Sequence, residues 1–323
     1  MSAAEIAEAI SSDASYVERL MYACASIGVF KLGVSAQDGE PPRFVNTRLS
    51  AVLRESHPNS MRALVGSCVE NSYKVWGRLA EVFEHPEGPI AWELEYPEHS
   101  LAEGGIWHMF ETDPHAEAQF ARAMTSLDGL GAGAMVADGP FAKFDRFIDV
   151  GGGRGHFLHH VLEAHPSAIG VVFDRENVIE TATAEAWGPQ GPFATAAPRV
   201  KLVSGSFFVE DSIPAARDGD AFYMRYILHD WPPEDCLTIL KSVRTAIGQT
   251  NATLLIGEVA LPDRGTVGQD DIMYKLDMEM MVLTRGQERT PTQWKEILTL
   301  AGFKIIKFHP TRSIIHWVEA VPI

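Results

Sequence analysis

The sequence predicts an α/β fold: a mostly parallel, seven-stranded, Rossmann-like sheet preceded by a mainly helical, winged-helix-like domain. Three observations carry this. From residue 146 onward, short apolar, β-rich runs alternate with helical stretches, the pattern of a parallel sheet covered on both faces. The first of those runs leads at once into GGGRG. Before residue 140 the apolar residues recur at helical spacing instead.

Taken in order, residues 3–10 read as a short helix. Residues 13–29 place Val17, Leu20, Met21, Cys24 and Ile27 at helical spacing, with Asp13 as N-cap and Gly28 closing the helix. A polar turn over 35–42, the strand RFVNT and the helical stretch RLSAVLRE complete a helix–turn–helix with a short wing. Longer helices are expected over 59–84 and 109–137, the second holding Phe110, Phe120, Met124 and Met135. RFIDV, IGVVFD, RVKLVSG, AFYMRY and TLLIGEV then read as strands, and KIIKFH and SIIHWVEAV as a closing pair. The expected divisions are 1–85 for the winged-helix-like domain, 86–140 for a helical linker and 141–323 for the α/β domain.

Composition narrows the function class. With 46% hydrophobic and 22% charged residues the chain reads as a soluble globular protein. Cys24, Cys68 and Cys236 are sparse and lack metal-ligand spacing, which points to a reducing compartment, so a cytoplasmic protein is expected. The N-terminus has no basic stretch followed by an apolar run, and no segment is long and apolar enough to span a bilayer. A formal charge of −16 opposes nucleic-acid binding, whose affinity comes largely from Lys and Arg on phosphates. Neither nucleic acid nor membrane is therefore expected as a partner.

FIDVGGGRGHFLHHVLEAHP is the most informative segment. A strand ends at Val150, Gly151, Gly153 and Gly155 alternate, and a helix begins near His156. Such glycines let the backbone turn tightly and approach a ligand, and the helix N-terminus offers free N–H groups. A dinucleotide fingerprint requires G-x-G-x-x-G, but His156 stands where the last glycine belongs. The loop suits a cofactor without pyrophosphate, such as S-adenosylmethionine; the alternative is a tight turn with no ligand. Asp174 ends the next strand, about 20 residues past the loop, where an acidic residue binds ribose hydroxyls. Its other possible role is N-cap of the helix near Glu176.

RYILHDWPPEDC sets His229 and Asp230 at the carboxyl end of the fourth strand, beside the crevice where such sheets bind ligands. An imidazole with a pKa near 6.5 can remove the proton of a phenol whose pKa is near 10. A carboxylate on the other ring nitrogen would orient it and stabilise its positive form. Glu258, at the end of TLLIGEV, and Glu288, in RGQERT, are candidates for that carboxylate. His156, His159 and His160 share one helix, and without a third ligand nearby they read as packing or solvent-facing residues; no metal is expected.

IDVGGGRG, the aspartate of VVFD, LHDWPPEDC, EVALPD and GQERTPTQWKEILTLAGF, in this order, resemble the plant-caffeate-type O-methyltransferase family, with its bacterial and fungal small-molecule members. The resemblance runs from about residue 3 to the end. It implies a class I methyltransferase domain, a winged-helix-like dimerisation domain, S-adenosylmethionine as cofactor and S-adenosylhomocysteine as product. It further implies His229 as general base flanked by Glu258 and Glu288, and Asp174 on the ribose. The cofactor set it implies is Asp149, Gly151, Gly152, Gly153, Asp174, Arg175, Ser206, Phe207, Arg225 and Trp231. Arg225 stands where the family often has lysine near the adenosine, and Trp231 where a tryptophan packs on adenine. Trp107, Met124, Asp230 and Met280 are the expected acceptor-binding residues; for the methionines, ordinary core packing is the competing role.

Two departures stand out. The family's G-D-[MF]-F is Gly205-Ser206-Phe207-Phe208 here, so a hydroxyl replaces the carboxylate expected to meet the adenine amine. The chain also begins close to the winged-helix unit, without the preceding helix that family members swap across the dimer, which puts the usual homodimer in question. The expected reaction is methylation of a hydroxyl, phenolic by preference, on an aromatic secondary metabolite. N-methylation, or decarboxylation, hydroxylation or pericyclic chemistry by a cofactor-binding relative, is the alternative within the fold. A winged-helix DNA-binding regulator is the alternative of another class, and a nicotinamide dehydrogenase is disfavoured by the glycine spacing.

Overall fold

Ser2 and Glu5 start the first helix by exchanging backbone and side-chain hydrogen bonds, a capping box that opens α1 (Ala3–Ala9). Asp13 caps α2 (Ala14–Ser26) by accepting from the N–H groups of Ser15 and Tyr16. The strands β1 (Phe30–Leu32) and β2 (Phe44–Asn46) pair antiparallel as the wing, and α3 (Arg48–Ala51) is a single turn, shorter than RLSAVLRE suggested. The computed structural model describes residues 1–33, 40–263 and 272–323, and the turn expected over 35–42 falls mostly outside them. Ala7, Val17, Met21 and Phe44 form the small core of this unit, Met1–Gly66. Leu20 and Ile27, expected on the buried face of α2, are 61% and 72% exposed. At 100° per residue they lie at one edge of the apolar stripe, beyond the reach of a core this small.

The second unit, Ser67–Ile323, begins before the boundary expected near residue 85. The reason is packing: Val75 belongs to one buried cluster with Trp92, Ile106, Met109 and Phe110. The helix expected over 59–84 is instead α4 (Arg62–Ser67), a π-helical turn (Cys68–Ser72), α5 (Tyr73–Trp76) and α6 (Leu79–Glu84). A short α7 (Ala91–Glu95) follows. The helix expected over 109–137 divides into α8 (Ile106–Thr112) and α9 (Pro114–Asp138). Asp113 caps α9 from outside and Pro114 takes its first position, where a missing N–H costs nothing.

The α/β layer follows as β3 (Arg146–Val150), α10 (His156–Ala164), β4 (Ile169–Asp174), α11 (Glu176–Thr181), β5 (Val200–Ser204) and β6 (Ala221–Arg225). It continues with α12 (Pro233–Ile247), β7 (Thr253–Val259), α13 (Ile272–Leu283), α14 (Pro291–Leu300), β8 (Phe303–Pro310) and β9 (Ile315–Pro322). The sheet has seven strands in the order β5-β4-β3-β6-β7-β9-β8. The first five in that order are parallel, and β9 runs antiparallel to β7 and β8. Successive residues alternate between two cores: Phe147, Tyr223 and Leu255 enter one, Ile148, Phe222 and Leu254 the other. Burial on both faces accounts for the continuous apolar strands of the sequence. The strand order reverses between β3 and β6, so the glycine loop after β3 and the turn after β6 flank one crevice.

Candidate active site

The crevice begins at the glycine loop. Gly153 has φ +57, and a Cβ built there would meet no atom within 4 Å, so the turn leaves open space in front of it. Its N–H donates to Asp174 Oδ2 (2.7 Å), and Asp174 Oδ1 accepts from Arg175 N (2.7 Å). The N-cap of α11 is Arg175, not Asp174, so the carboxylate bridges the glycine loop and the residue that opens the helix without capping the helix itself. Each of its oxygens retains a lone pair for a ligand. Asp149 is buried at the end of β3 with Oδ2 unpartnered, and burial pushes its pKa up to about 7.

Beside the loop lies an aromatic wall. Trp231 stacks on Trp107 (centroids 6.2 Å, 20°) and meets Phe207 and Phe208 edge-on. Arg175 covers Trp107 at 5.6 Å and pairs with Glu111 (2.8 Å). Trp107, expected on the acceptor side, thus stands against two residues expected at the cofactor. Ser206 Oγ accepts from Phe208 N (3.3 Å) within its own turn. Arg225 pairs with Asp128 of α9 (2.6 Å) and lies over the rings of Phe157 and Tyr226. Met124 and Met280 are half-buried on α9 and α13.

His229 stands in a short 3-10 turn, Leu228–Asp230, just past β6. Its Nδ1 lies 2.9 Å from Glu288 Oε1 and 3.6 Å from Glu258 Oε2, and its Nε2 is 3.7 Å from Asp230 Oδ1. Glu258 reaches the site from β7, and its Oε1 accepts from the N–H groups of Ile227 (3.0 Å) and Leu228 (2.9 Å). Glu288 comes from the connector between α13 and α14, and its own N–H donates to Asp277 Oδ1 (2.8 Å). With Nδ1–H donating to Glu288, the neutral ring presents its lone pair at Nε2. Ligand atoms of His229, Glu258 and Glu288 lie within 4.8 Å of one another, a set that could also hold a metal ion.

Burial alone would depress the imidazole, but Glu258, Glu288 and Asp230 outweigh it and hold its pKa up at about 10. Burial pushes Glu258 up to about 7 and Asp230 up to about 6. A raised folded-state pKa stabilises the protein fully below the unfolded value of 6.5, and that contribution is lost as pH rises through about 10. Thermal denaturation of the ligand-free chain should therefore show stability falling between about pH 7 and about pH 10. In His229→Asn the fall should be shallower; equal slopes would contradict the assigned cause.

Several residues that support this site were not singled out in the sequence. Arg289, 1% exposed, donates to the carbonyls of Leu228 (2.7 Å) and Trp231 (2.9 Å) and clamps the turn that bears His229. Gln287 N donates to His229 O (2.9 Å), and Gly286 packs against the same carbonyl. Their only signal was their place beside Glu288 in RGQERT.

Residues 76–304 match the family model described as the O-methyltransferase domain. The chain belongs to that family. Residues 1–56 of this methyltransferase match the O-methyltransferase dimerisation domain. It is 33% identical over 321 residues to "Phenazine O-methyltransferase PhzM" of Lysobacter antibioticus, covering 99% of this chain and 86% of that protein. It is 31% identical to "8-amino-8-demethylriboflavin N,N-dimethyltransferase" of Streptomyces davaonensis, covering 96% and 83%. Among solved structures, LaPhzM superimposes with a TM-score of 0.83 at 31% identity, covering all of the methyltransferase and 89% of that chain. CalO1, solved in its S-adenosylhomocysteine-bound form, superimposes with a TM-score of 0.77 at 27% identity, covering 100% and 88%. Methyltransferases of this family use S-adenosylmethionine.

Proposed function

We propose that this methyltransferase methylates a phenolic hydroxyl of an aromatic small molecule, with His229 Nε2 as general base. The carrying observation is the pairing of Nδ1 with Glu288 at 2.9 Å, which favours the Nδ1–H tautomer and leaves Nε2 as the basic nitrogen. When bound, S-adenosylmethionine supplies an electrophilic methyl group on a sulfonium. The residues present suit such a cation. Asp149, Asp174, Asp230, Glu258 and Glu288 gather at this end of the sheet, while Arg175 and Arg225 are already paired with Glu111 and Asp128. A pyrophosphate would meet carboxylates here; a sulfonium and an ammonium meet opposite charge.

In this reading the glycine loop and Asp149 hold the aminoacyl end, Asp174 the ribose hydroxyls, and Trp231 and Phe207 the adenine. Ser206 and Arg225, engaged with their own surroundings, shape the site without a direct charge on the ligand. Trp107, Met124, Asp230 and Met280 border the acceptor. His229 takes the hydroxyl proton onto Nε2, and Glu258 and Glu288 stabilise the resulting imidazolium. The exposed apolar edge of α2, in a region matching a dimerisation domain, supports a homodimer rather than a DNA-binding role for the winged-helix-like unit.

The test is incubation with S-adenosylmethionine and a panel of phenols and arylamines, with S-adenosylhomocysteine followed by mass spectrometry. Product with phenols supports the reading; product with arylamines alone replaces it with N-methylation, as in the riboflavin-type relative's name. Two variants extend it. Asp174→Ala should weaken S-adenosylhomocysteine binding roughly tenfold or more in calorimetry, the scale of a lost charge-assisted hydrogen bond. Unchanged affinity would remove Asp174 from the cofactor site. Glu258→Gln keeps an oxygen for Ile227 and Leu228 but removes a negative charge, so the imidazole pKa should fall. The alkaline rise of kcat/KM should then begin at lower pH than in the parent, and a rise displaced upward would exclude Glu258 as the cause.

A further inference from the structure

Between the last residue of β6 and the turn of His229 stands Tyr226, with φ +55. A bulky side chain in that left-handed region is an outlier, and such strain persists only where its surroundings impose it. Here three contacts do. The Tyr226 N–H donates to Gly257 O (3.2 Å), the Arg225 guanidinium lies 5.1 Å from the ring centroid, and the ring stacks on the His229 imidazole (5.4 Å, 29°). The strained backbone thus spends its conformation on laying a phenol alongside the base.

The phenol itself is not used by the fold. Tyr226 is half-buried, its hydroxyl bonds to no group among the described residues, and it is not one of the sealed, unpartnered atoms of the interior. The hydroxyl therefore reaches accessible space, at the edge of a ring that stacks on the imidazole. Burial raises its pKa far above the usual phenol value, and although Arg225 opposes this, Glu258, Asp128 and Glu288 add to it. It is a neutral hydroxyl at every working pH, with a proton to donate.

Resting on His229 as the base, we infer that Tyr226 is a specificity-determining residue. Its hydroxyl donates a hydrogen bond to a carbonyl or carboxylate oxygen standing next to the acceptor hydroxyl. The Tyr226 ring stacks on the imidazole at 5.4 Å, so an acceptor with its hydroxyl at Nε2 would bring a neighbouring substituent toward the Tyr226 side of the base. Such ortho-hydroxycarbonyl compounds hold their own phenol proton in an internal hydrogen bond. A donor on the second lone pair of that carbonyl oxygen stabilises the charge left on the acceptor when its O–H proton passes to His229 Nε2.

The test uses two neutral probes, 1-naphthol and 1-hydroxy-2-acetonaphthone, binding to the full chain saturated with S-adenosylhomocysteine. Calorimetry on the parent should show preference for the ketone. Tyr226→Phe, which keeps the stack and the strain, should lose about fivefold to tenfold for the ketone and nothing for naphthol, with an unchanged Tm. The pH profile of turnover should also be unmoved in Tyr226→Phe, because the imidazole keeps its neighbours. Equal losses for both probes, no loss for either, or no binding of either probe by the parent overturns the inference. Binding is read without turnover, so failure of methyl transfer itself would appear separately, as absence of product across the acceptor panel.

Discussion

Replacing His229 with alanine should lower kcat by about 10²–10⁴ while leaving S-adenosylhomocysteine affinity nearly unchanged. The size follows from what is lost. Glu258 and Glu288 approach Nδ1, on the far side of the ring from Nε2, and among the described residues Asp230, 3.7 Å from Nε2, is the one acidic side chain paired with that nitrogen. The groups proposed to hold the cofactor, Asp149, Asp174 and the glycine loop, are not among the partners of the imidazole, which are Glu258, Glu288, Asp230 and Tyr226. The measurement is single-turnover methylation beside calorimetry on the same preparation. The carboxylates left without a cation will disturb the variant, so its Tm should be compared with that of His229→Asn. Turnover within threefold of the parent in both would sink the base assignment. An equal fall in cofactor affinity would move His229 from chemistry to binding.

Gly286→Ala should be nearly as damaging, although the residue carries no chemistry. A Cβ at position 286 would stand 1.9 Å from His229 O and 2.8 Å from the Asp230 carbonyl carbon. These are backbone atoms that cannot swing aside, so the connector must move. Overpacking of this kind costs about 1–3 kcal/mol or more. The displacement would also part Gln287 N from His229 O and draw Glu288 away from Nδ1. The expected result is a lowered Tm together with a large loss of kcat and a lowered imidazole pKa. Crystallographic or NMR observation of an undisturbed His229–Glu288 contact in an inactive Gly286→Ala would contradict this account. So would normal activity.

Much of this was legible in the residues because the signals were local and chemical. The strands announced themselves as apolar runs, since both sheet faces are covered. Gly151–Gly155 marked the turn, and Asp174 followed at the distance that one βαβ unit dictates. His229, Glu258 and Glu288 stood at strand ends or beside a helix end, and the structure brings them together. The misses have physical reasons as well. Asp113-Pro114 is a helix start that interrupts an otherwise continuous apolar pattern, so periodicity alone read through it. The π-helical turn at Cys68–Ser72 leaves no compositional mark. Tyr226 looks like an ordinary strand-end aromatic; its left-handed backbone is imposed by Gly257 and the following turn, which are distant in sequence or set by tertiary packing.

The two carboxylates that hold the imidazole belong to parts of the chain with different mechanical character. Glu258 is built into β7, all of whose residues are buried between β6 and β9. Glu288 rides on a short connector secured by Gln287, Arg289 and Asp277. In amide hydrogen exchange, the β7 amides should open only with global unfolding, whereas the connector can open alone. Each such opening would release one carboxylate and leave the other in place, so the proton affinity of the base would fluctuate with the connector while the sheet stays closed. In the proposed mechanism the basicity of His229 would then be set jointly by a support that opens only with the whole sheet and by one that can open by itself.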